Sequence, residues 1–232
     1  MIMIPTFVGN IMKKTAIILG ASGLTGGYVL EKLIKDERYD TIKLFSRSKL
    51  EGQPNKVKQF VGDLLDLEEF KSYFTADEIY CCIGTTLKKT PNKTRYKKID
   101  YGIPVAAAKL AKANSIDTFI VMSSMGADKN SNSFYTKTKG EMEHDVKQQH
   151  IKNTFILRPS LIGGDRDEKR TLEKIGLSVV KVIQPLFVGA FKNYKIINAE
   201  TIAQAMIHLA NTKEQNEVII TSNQIQTLGS NN

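Results

Sequence analysis

Four glycines fall within eight residues, directly after the first apolar run of the chain. The segment GASGLTGG spans residues 20–27 and follows the run TAIIL at 15–19. Glycine is costly to order, so such a cluster implies a close backbone approach or dihedral angles that other residues avoid. A bend between a strand and a helix places backbone amides at the amino end of the helix, where anions bind. The segment therefore predicts a phosphate cradle.

The glycine spacing is Gly20-x-x-Gly23-x-x-Gly26, which differs from the GxGxxG fingerprint of dinucleotide-binding folds. The mechanics carry over, because this bend also joins a predicted strand to a predicted helix. Ser22 and Thr25 add hydroxyl donors beside the backbone amides. We therefore predict that the bend binds the pyrophosphate of a dinucleotide.

Apolar strand-like runs alternate with helix-like stretches along the chain. We predict strands at 15–20, 41–45, 56–61, 78–83, 118–123, 154–158 and 217–221, and helices at 24–36, 66–74, 95–113, 134–150, 168–184 and 198–211. Strands that are apolar at consecutive positions indicate a parallel sheet covered on both faces. The expected fold class is therefore α/β, with a Rossmann-like, doubly wound, mostly parallel sheet that has helices on both faces.

One domain accounts for most of the chain. Residues 12–232 are expected to form it, with Met12 as the predicted start and residues 1–11 as an N-terminal extension. The region 161–196 has the least regular pattern, and we predict that it forms a small C-terminal lobe on the substrate side of the sheet. The apolar start of the chain is short and lacks a basic segment before it, so neither a signal peptide nor a membrane span is expected.

Composition restricts the classes of partner and site. The formal net charge of +9 favours anionic partners, although a solvated basic surface would also account for it. The only cysteines, Cys81 and Cys82, are adjacent, so a disulfide scaffold is excluded and a cytoplasmic location is expected. The three histidines fit no metal-binding spacing, and no metal site is predicted.

The ends of the next strands indicate which dinucleotide is bound. The second strand ends in LFSRSK, which puts Ser46, Arg47 and Lys49 where an acidic residue would bond the ribose hydroxyls of NAD. A guanidinium and a hydroxyl suit a phosphate, so NADP(H) is preferred over NAD(H). Asp63 ends the third strand, where it is placed to accept a bond from the adenine amino group. The small residues of CCIGTT at 81–86 let a cofactor cross the sheet edge.

A second group of polar residues follows the fifth strand. Ser123 and Ser124 end that strand, and Tyr135-x-x-x-Lys139 lies on the next predicted helix. A spacing of four puts the tyrosine and the lysine on one helix face. A neighbouring ammonium stabilises a phenolate, which makes a tyrosine a workable acid or base for a hydroxyl or carbonyl. Such a site handles the proton while a nicotinamide carries the hydride.

These segments resemble a known family. The chain is similar to atypical short-chain dehydrogenases/reductases, and within them to the Tat-interacting-protein family of NADP-binding oxidoreductases, in ILGASGLTG, CCIGTT, SSMGADKNSNSFYTKTKGE and LRPSLIGGDR. The resemblance covers roughly residues 15–170. It implies that Tyr135 is the general acid/base, that Lys139 is its electrostatic partner and ribose ligand, and that Ser124 orients the substrate oxygen in preference to Ser123.

At one position this sequence differs from the family pattern. The turn RPS at 158–160 would meet the nicotinamide end of the cofactor, as in the family. Asp100, however, stands where many relatives carry an asparagine, which puts a proton relay through that helix in doubt.

The complete predicted site combines both groups. The predicted catalytic residues are Ser124, Tyr135 and Lys139. The predicted cofactor-binding residues are Gly20, Ser22, Gly23, Leu24, Thr25, Gly26, Ser46, Arg47, Asp63, Leu64, Cys82, Ile83, Gly84, Thr85, Tyr135, Lys139, Arg158 and Pro159.

Three functions remain open at this point. The favoured one is an NADP-dependent oxidoreductase that acts on a small carbonyl or alcohol. The second is a redox-sensing module that holds NADPH and acts through a protein partner without turnover, and the third is an epimerase that returns the hydride. The basic run at 87–98 is interpreted as a solvated loop near the cofactor, and no specific nucleic acid is expected. The protein is expected to be a monomer or a homodimer.

Overall fold

A seven-stranded parallel sheet forms the centre of the molecule. The structure is a computed structural model that describes residues 13–163, 196–212 and 217–230. The sheet has the order β3-β2-β1-β4-β5-β6-β9, and every pair of neighbouring strands is parallel. Its strands are β1 (Lys14–Leu19), β2 (Tyr39–Ser46), β3 (Val57–Val61), β4 (Glu78–Cys81), β5 (Thr118–Met122), β6 (Asn153–Arg158) and β9 (Glu217–Thr221). The predicted Rossmann-like fold class is confirmed.

Helices connect the strands in the described part of the chain. They are α1 (Leu24–Lys35), a 3₁₀ helix (Leu64–Phe70), α2 (Lys93–Lys97), a π-helical turn (Lys98–Gly102), α3 (Ile103–Ala113), α4 (Phe134–Lys147), α5 (Ala199–Ala210) and α6 (Ser222–Ser230). The helix expected at 66–74 is thus a shorter 3₁₀ helix, and the one expected at 95–113 contains a π turn. The predicted extension at 1–11, the helix at 168–184 and most of the lobe at 161–196 lie outside the described residues.

The sheet is covered on both faces, and β1 shows why. Ala16 and Ile18 are fully buried against the face that carries α1 and α5, whereas Ile17 and Leu19 are fully buried against the face that carries α3 and α4. Burial of each large aliphatic side chain contributes about 1.5–3 kcal/mol, which requires apolar residues at consecutive positions of a central strand. Because all neighbouring strands are parallel, their carboxyl ends lie at one edge of this covered sheet.

The strand order places a crevice at the middle of the sheet. The chain runs outward from β1 through β2 to β3, then returns to β4 on the other side of β1 and continues in the opposite direction. Ligands of open parallel sheets bind at the carboxyl ends of the strands on either side of such a reversal. The segments that follow β1 and β4 therefore border the expected site.

A second, two-stranded parallel pair lies beside the main sheet. β7 (Ile162–Gly163) pairs with β8 (Ile197–Asn198), and both segments border the undescribed stretch 164–195. A Cβ on Gly163 would come within 2.6 Å of Ile196 Cγ2, so the contact is close.

Within the described ranges, no helix combines the length and the apolar character needed to cross a membrane.

A buried polar cluster fixes the opposite edge of the sheet. The Glu78 carboxylate accepts hydrogen bonds from the hydroxyls of Tyr39 and Tyr80, each at 2.6 Å, and pairs with Lys14 at 2.9 Å. Asn211, just after α5, donates to the Tyr39 hydroxyl at 2.7 Å. Burial and the neighbouring carboxylate raise the pKa of Tyr39, so its hydroxyl remains a donor. This cluster ties α5 to the sheet, far from the crevice.

Candidate functional site

A cleft of about 1040 Å³ opens at the carboxyl ends of β1 to β4. Eleven of the predicted cofactor residues line it, and they come from four separate segments of the chain. These are Gly20, Ser22, Gly23, Ser46, Arg47, Asp63, Leu64, Cys82, Ile83, Gly84 and Thr85. The volume suits a dinucleotide or a part of one, because small-molecule sites typically span about 300–1,000 Å³.

The glycine bend is a tight backbone turn under the cleft. Gly20 has a φ of +87°, a conformation that side-chain-bearing residues rarely adopt, and a Cβ there would lie 2.8 Å from the Cys82 carbonyl oxygen. A Cβ on Gly26 would lie 2.2 Å from the Gly20 carbonyl oxygen. The backbone therefore approaches itself and the end of β4 at distances that only glycine allows.

The bend leaves the start of α1 open to the cleft. Gly23 is the N-cap residue, and it has no side chain to cap the N–H groups of the first turn of α1. Ser22 and Gly23 are exposed, whereas Thr25 and Gly26 are buried behind them and Leu24 is half-buried. Free N–H groups and the helix dipole favour an anion at such a position. The described residues thus fit a pyrophosphate at this point.

The tip of β2 carries the expected cation. Arg47 is exposed at the wall of the cleft, while the Ser46 hydroxyl donates to the Ser48 carbonyl oxygen at 2.7 Å. The structure thus gives Ser46 a backbone partner and leaves Arg47 as the cationic group at the tip of β2. Across the cleft, Asp63 accepts from the Leu65 N–H at 3.0 Å and caps the 3₁₀ helix.

The loop after β4 forms the floor of the cleft. Cys82 and Ile83 are half-buried there, and Cys82 Sγ lies 3.8 Å from Met206 Sδ. Burial raises the pKa of the Cys82 thiol, which disfavours the reactive thiolate. The Thr85 N–H donates to Asp100 Oδ2 at 2.7 Å, which fixes the end of the loop on the π turn.

Helix α4 carries the predicted acid/base pair. Tyr135 is half-buried, and Lys139, one turn later, is buried with its Nζ 2.9 Å from Asp100 Oδ1. Neither residue is among those that line the cleft. Burial is the largest single influence on the pKa of Lys139 and lowers it, but the charge and hydrogen bond of Asp100, together with Tyr135 and Cys81, outweigh burial and the net shift is upward. The lysine is therefore charged.

The two serines at the end of β5 have different environments. Ser123 donates a short hydrogen bond to the Glu143 carboxylate on α4. The Ser124 Oγ is also buried, but it has no hydrogen-bond partner within the part of the chain that the structure describes. A buried polar atom without a partner is costly and rare in folded proteins. Ser124 therefore has the capacity to bind an oxygen that a ligand would bring.

Close packing fixes this loop against α4. A Cβ on Gly140 would lie 2.2 Å from the Asp128 carbonyl carbon, so α4 touches the backbone of the loop that follows β5. The Asp128 N–H also donates to the Thr136 carbonyl oxygen at 3.1 Å. The loop after Ser124 and the helix that carries Tyr135 are thus positioned by each other.

The segment at the end of β6 has partners inside the protein. The Arg158 guanidinium donates to the Glu143 carboxylate from Nε at 2.9 Å and also from Nη2. That hydrogen bond raises the pKa of Arg158. Pro159 accepts from the Met125 N–H at 3.0 Å and so joins the loops after β5 and β6. Both residues lie at the edge of the predicted site, with partners inside the protein.

Several cleft residues were not predicted. They are Phe45, Gly62, Leu65, Lys89, Thr90, Pro91, Asn92, Arg95, Ile99 and Ile103. The signal for five of them was present in the basic run at 87–98, which we interpreted as a solvated loop. Lys89 and Arg95 add two cations to the wall that also holds Arg47.

The family model described as NAD(P)H-binding matches residues 20–213. The chain belongs to the atypical short-chain dehydrogenase/reductase family. It is 34% identical to protein HTATIP2 of Rattus norvegicus over 165 residues, which cover 69% of this chain and 68% of that protein. It is 30% identical to the mitochondrial protein FMP52-1 of Scheffersomyces stipitis over 208 residues, covering 84% and 88%.

Solved structures agree with the fold of this atypical short-chain dehydrogenase/reductase. The Bordetella bronchiseptica enzyme WbmH, solved in complex with NAD⁺, superposes with a TM-score of 0.70 over 90% of this chain and 76% of that chain, at 13% identity. This likeness shows the fold alone.

Within the described residues, no group of three or more histidine, cysteine, aspartate or glutamate side chains is arranged to hold a metal ion.

The predicted cytoplasmic location is wrong. FMP52-1 is named as a mitochondrial protein, which contradicts a purely cytoplasmic assignment. The prediction rested on Cys81 and Cys82, which are indeed free. Free thiols indicate a reducing environment, but several compartments are reducing. Cysteine content therefore does not identify the compartment.

Proposed function

We propose that this protein is an NADP-dependent oxidoreductase that transfers a hydride to or from a small carbonyl or alcohol. The observation that carries the proposal is the buried Ser124 Oγ, which has no partner among the described residues. Ser124 lies two residues after the end of β5, in the loop that packs against α4. Tyr135 and Lys139 lie on that helix. Together these residues supply an oxygen-binding hydroxyl, a phenol and an ammonium.

Each side chain has a defined role in this proposal. When bound, the nicotinamide supplies or accepts the hydride. Ser124 orients the substrate oxygen, and Tyr135 gives a proton to that oxygen during reduction or removes it during oxidation. Lys139 holds a positive charge on the same helix face and supports the exchange of the phenolic proton. A positioned acid/base of this kind contributes about 10²–10⁴-fold to a rate.

The cleft wall supports a preference for NADP(H). Arg47 occupies the tip of β2, and Lys89 and Arg95 line the same cleft. All three are exposed and positively charged, so a dianionic 2′-phosphate would gain attraction and hydrogen bonds there. Near the tip of β2, Arg47 occupies the position at which NAD-binding folds carry an acidic residue that bonds the free ribose hydroxyls.

A panel of carbonyl compounds tests the proposal. Wild-type protein is mixed with NADPH and each carbonyl, and the loss of NADPH absorbance is followed. We expect at least one carbonyl to be reduced, and we expect Tyr135→Phe to lose at least about 100-fold of that rate while its NADPH affinity stays the same. Tyr101→Phe is the control, because Tyr101 is half-buried on the π turn and bonds Asp145 instead.

The other two functions give different results in this panel. A redox-sensing module would bind NADPH tightly but reduce none of the carbonyls, and its affinity would not depend on Tyr135. An epimerase would convert its substrate without net consumption of NADPH. Retained reduction by Tyr135→Phe would show that another group is the acid and would contradict the proposal.

A further inference from the structure

Asp100 is the most heavily engaged buried acid near the predicted site. It is 1% exposed, and its carboxylate has partners on three separate segments. Oδ1 lies 2.9 Å from Lys139 Nζ and accepts from the Tyr96 hydroxyl at 3.4 Å, whereas Oδ2 accepts from the Thr85 N–H at 2.7 Å. One side chain thus connects the loop after β4 with helix α4.

The π turn at Lys98–Gly102 gives Asp100 this position. It interrupts a helical stretch that continues from α2 into α3. Single π turns inside α-helices are rare and occur often at functional sites. Gly84 lies against the same carboxylate, since a Cβ on it would be 3.7 Å from Asp100 Oδ1. The cleft floor at Gly84 and Thr85 therefore rests on the residue that pairs with Lys139.

Among the described residues, three groups act on the charge of Lys139. Asp100 faces it from the π turn, Tyr135 from α4 and Cys81 from β4. Tyr96 faces Asp100 from α2, and burial together with Asp100 raises the pKa of Tyr96, so Tyr96 stays protonated. Burial raises the pKa of Cys81 to about 12, so its thiol is neutral. Asp100 is thus the anion that balances the buried ammonium.

We propose that Asp100 is a positioning residue that keeps Lys139 charged and holds it in register with the cofactor-binding loop at Gly84–Thr85. This inference rests on the proposed function, since it gives Lys139 its role beside Tyr135. An asparagine at this position would still accept the Thr85 N–H, but it would not balance a charge. The carboxylate therefore has two roles. It links the loop to α4, as an asparagine could, and it also keeps Lys139 protonated.

Asp100→Asn separates these two contributions. Without the carboxylate, burial pulls the pKa of Lys139 downward, and the lysine loses its proton at a lower pH than in the wild type. We expect wild-type NADPH affinity and carbonyl reduction to vary little between pH 7 and 9. In Asp100→Asn both should fall together, by about tenfold, over that interval. A purely structural role would instead lower both by the same factor at every pH.

Thermal unfolding of the cofactor-free protein provides a readout that does not depend on turnover. The pKa of Lys139 is raised in the folded state, so the stability contributed by the pair is complete at neutral pH and is lost as pH rises through the folded-state value. In Asp100→Asn the folded-state pKa of Lys139 lies below the unfolded value, so the stability of the variant rises with pH between 7 and 9 while that of the wild type does not, and the difference in melting temperature between them should narrow. If the difference stays constant with pH, the proposed charge role is wrong.

A double variant covers the case in which Asp100→Asn folds poorly. Asp100→Asn/Lys139→Met buries no charge, so it should unfold at a higher temperature than either single variant. Melting losses that simply add would overturn the inference. If wild-type protein neither binds NADPH nor reduces a carbonyl, the proposed function fails, and the unfolding cycle still reports on the pair. If the wild type is active and Asp100→Asn keeps the wild-type pH profile, only this inference fails.

Discussion

The Arg158 guanidinium holds the Glu143 carboxylate through two nitrogens, and the same carboxylate accepts from Ser123. Glu143 is buried on α4, one turn after Lys139, while Ser123 and Arg158 end the neighbouring strands β5 and β6. Three elements that carry predicted catalytic or cofactor-binding residues are thus joined at a single carboxylate. This junction holds α4, the helix that carries Tyr135, against the ends of β5 and β6.

Replacement of Glu143 by glutamine should loosen that junction. Glu143→Gln leaves the partly buried Arg158 without a carboxylate, and we expect a loss of about 2–3 kcal/mol in the free energy of unfolding. Urea denaturation measures it. Glu141→Gln is the matched control, because Glu141 pairs with Lys97 at 2.6 Å on the surface of the same helix and should cost less than about 1 kcal/mol. Equal losses in the two variants would contradict the buried role of Glu143.

The glycine bend should not tolerate a methyl group at its tightest point. Gly26→Ala would bring a Cβ within 2.2 Å of the Gly20 carbonyl oxygen, so the backbone of the bend must shift. We expect at least about a tenfold loss in NADPH affinity, measured by cofactor fluorescence, because the amides at the start of α1 move with it. Gly102→Ala is the control, since its nearest contact would be an ordinary 3.9 Å. Unchanged affinity in Gly26→Ala would remove the bend from the binding site.

Arg47 should determine the choice of cofactor. We expect the wild type to bind NADPH at least about tenfold more tightly than NADH, and Arg47→Ala to lose that difference by weakening NADPH alone. Calorimetric titration with each cofactor measures both affinities. Lys49→Ala is the control, because Lys49 is exposed near the same strand end but does not line the cleft. Equal affinities in the wild type would eliminate the role given to Arg47.

The sheet and its edge could be predicted because their signals are local. Each predicted strand lies within about two residues of an observed one, since a strand buried on both faces needs consecutive apolar residues. The glycine bend and the Tyr135–Lys139 spacing were also readable, because both depend on short separations. The helix Ser222–Ser230 was missed, because its nine residues are mostly polar and contain only two large apolar side chains, Ile225 and Leu228, and it is held by packing against α5.

Long-range pairing was not readable from the sequence. Asp100 is 39 positions from Lys139, and no local pattern shows that the π turn brings the two side chains together. Likewise, the sequence around Ser123 and Ser124 does not show which of the two hydroxyls is free to bind a ligand. Only the fold reveals that Glu143 engages the first hydroxyl and that the second has no partner in the described segments. The resemblance favoured Ser124, and the environment of its hydroxyl supplies a physical reason for that choice.

The two adjacent serines provide the most direct test of the whole account. With a carbonyl substrate found in the panel, single-turnover oxidation of NADPH is compared in Ser124→Ala and Ser123→Ala. We predict that Ser124→Ala unfolds at or above the wild-type temperature, because it removes a buried hydroxyl that has no partner among the described residues. It should lose about 100-fold or more of the rate, because it lacks the hydroxyl that meets the substrate oxygen. Ser123→Ala should lose about 1 kcal/mol of stability and keep most of the rate. A wild-type rate in Ser124→Ala, with the loss in Ser123→Ala instead, would contradict the account.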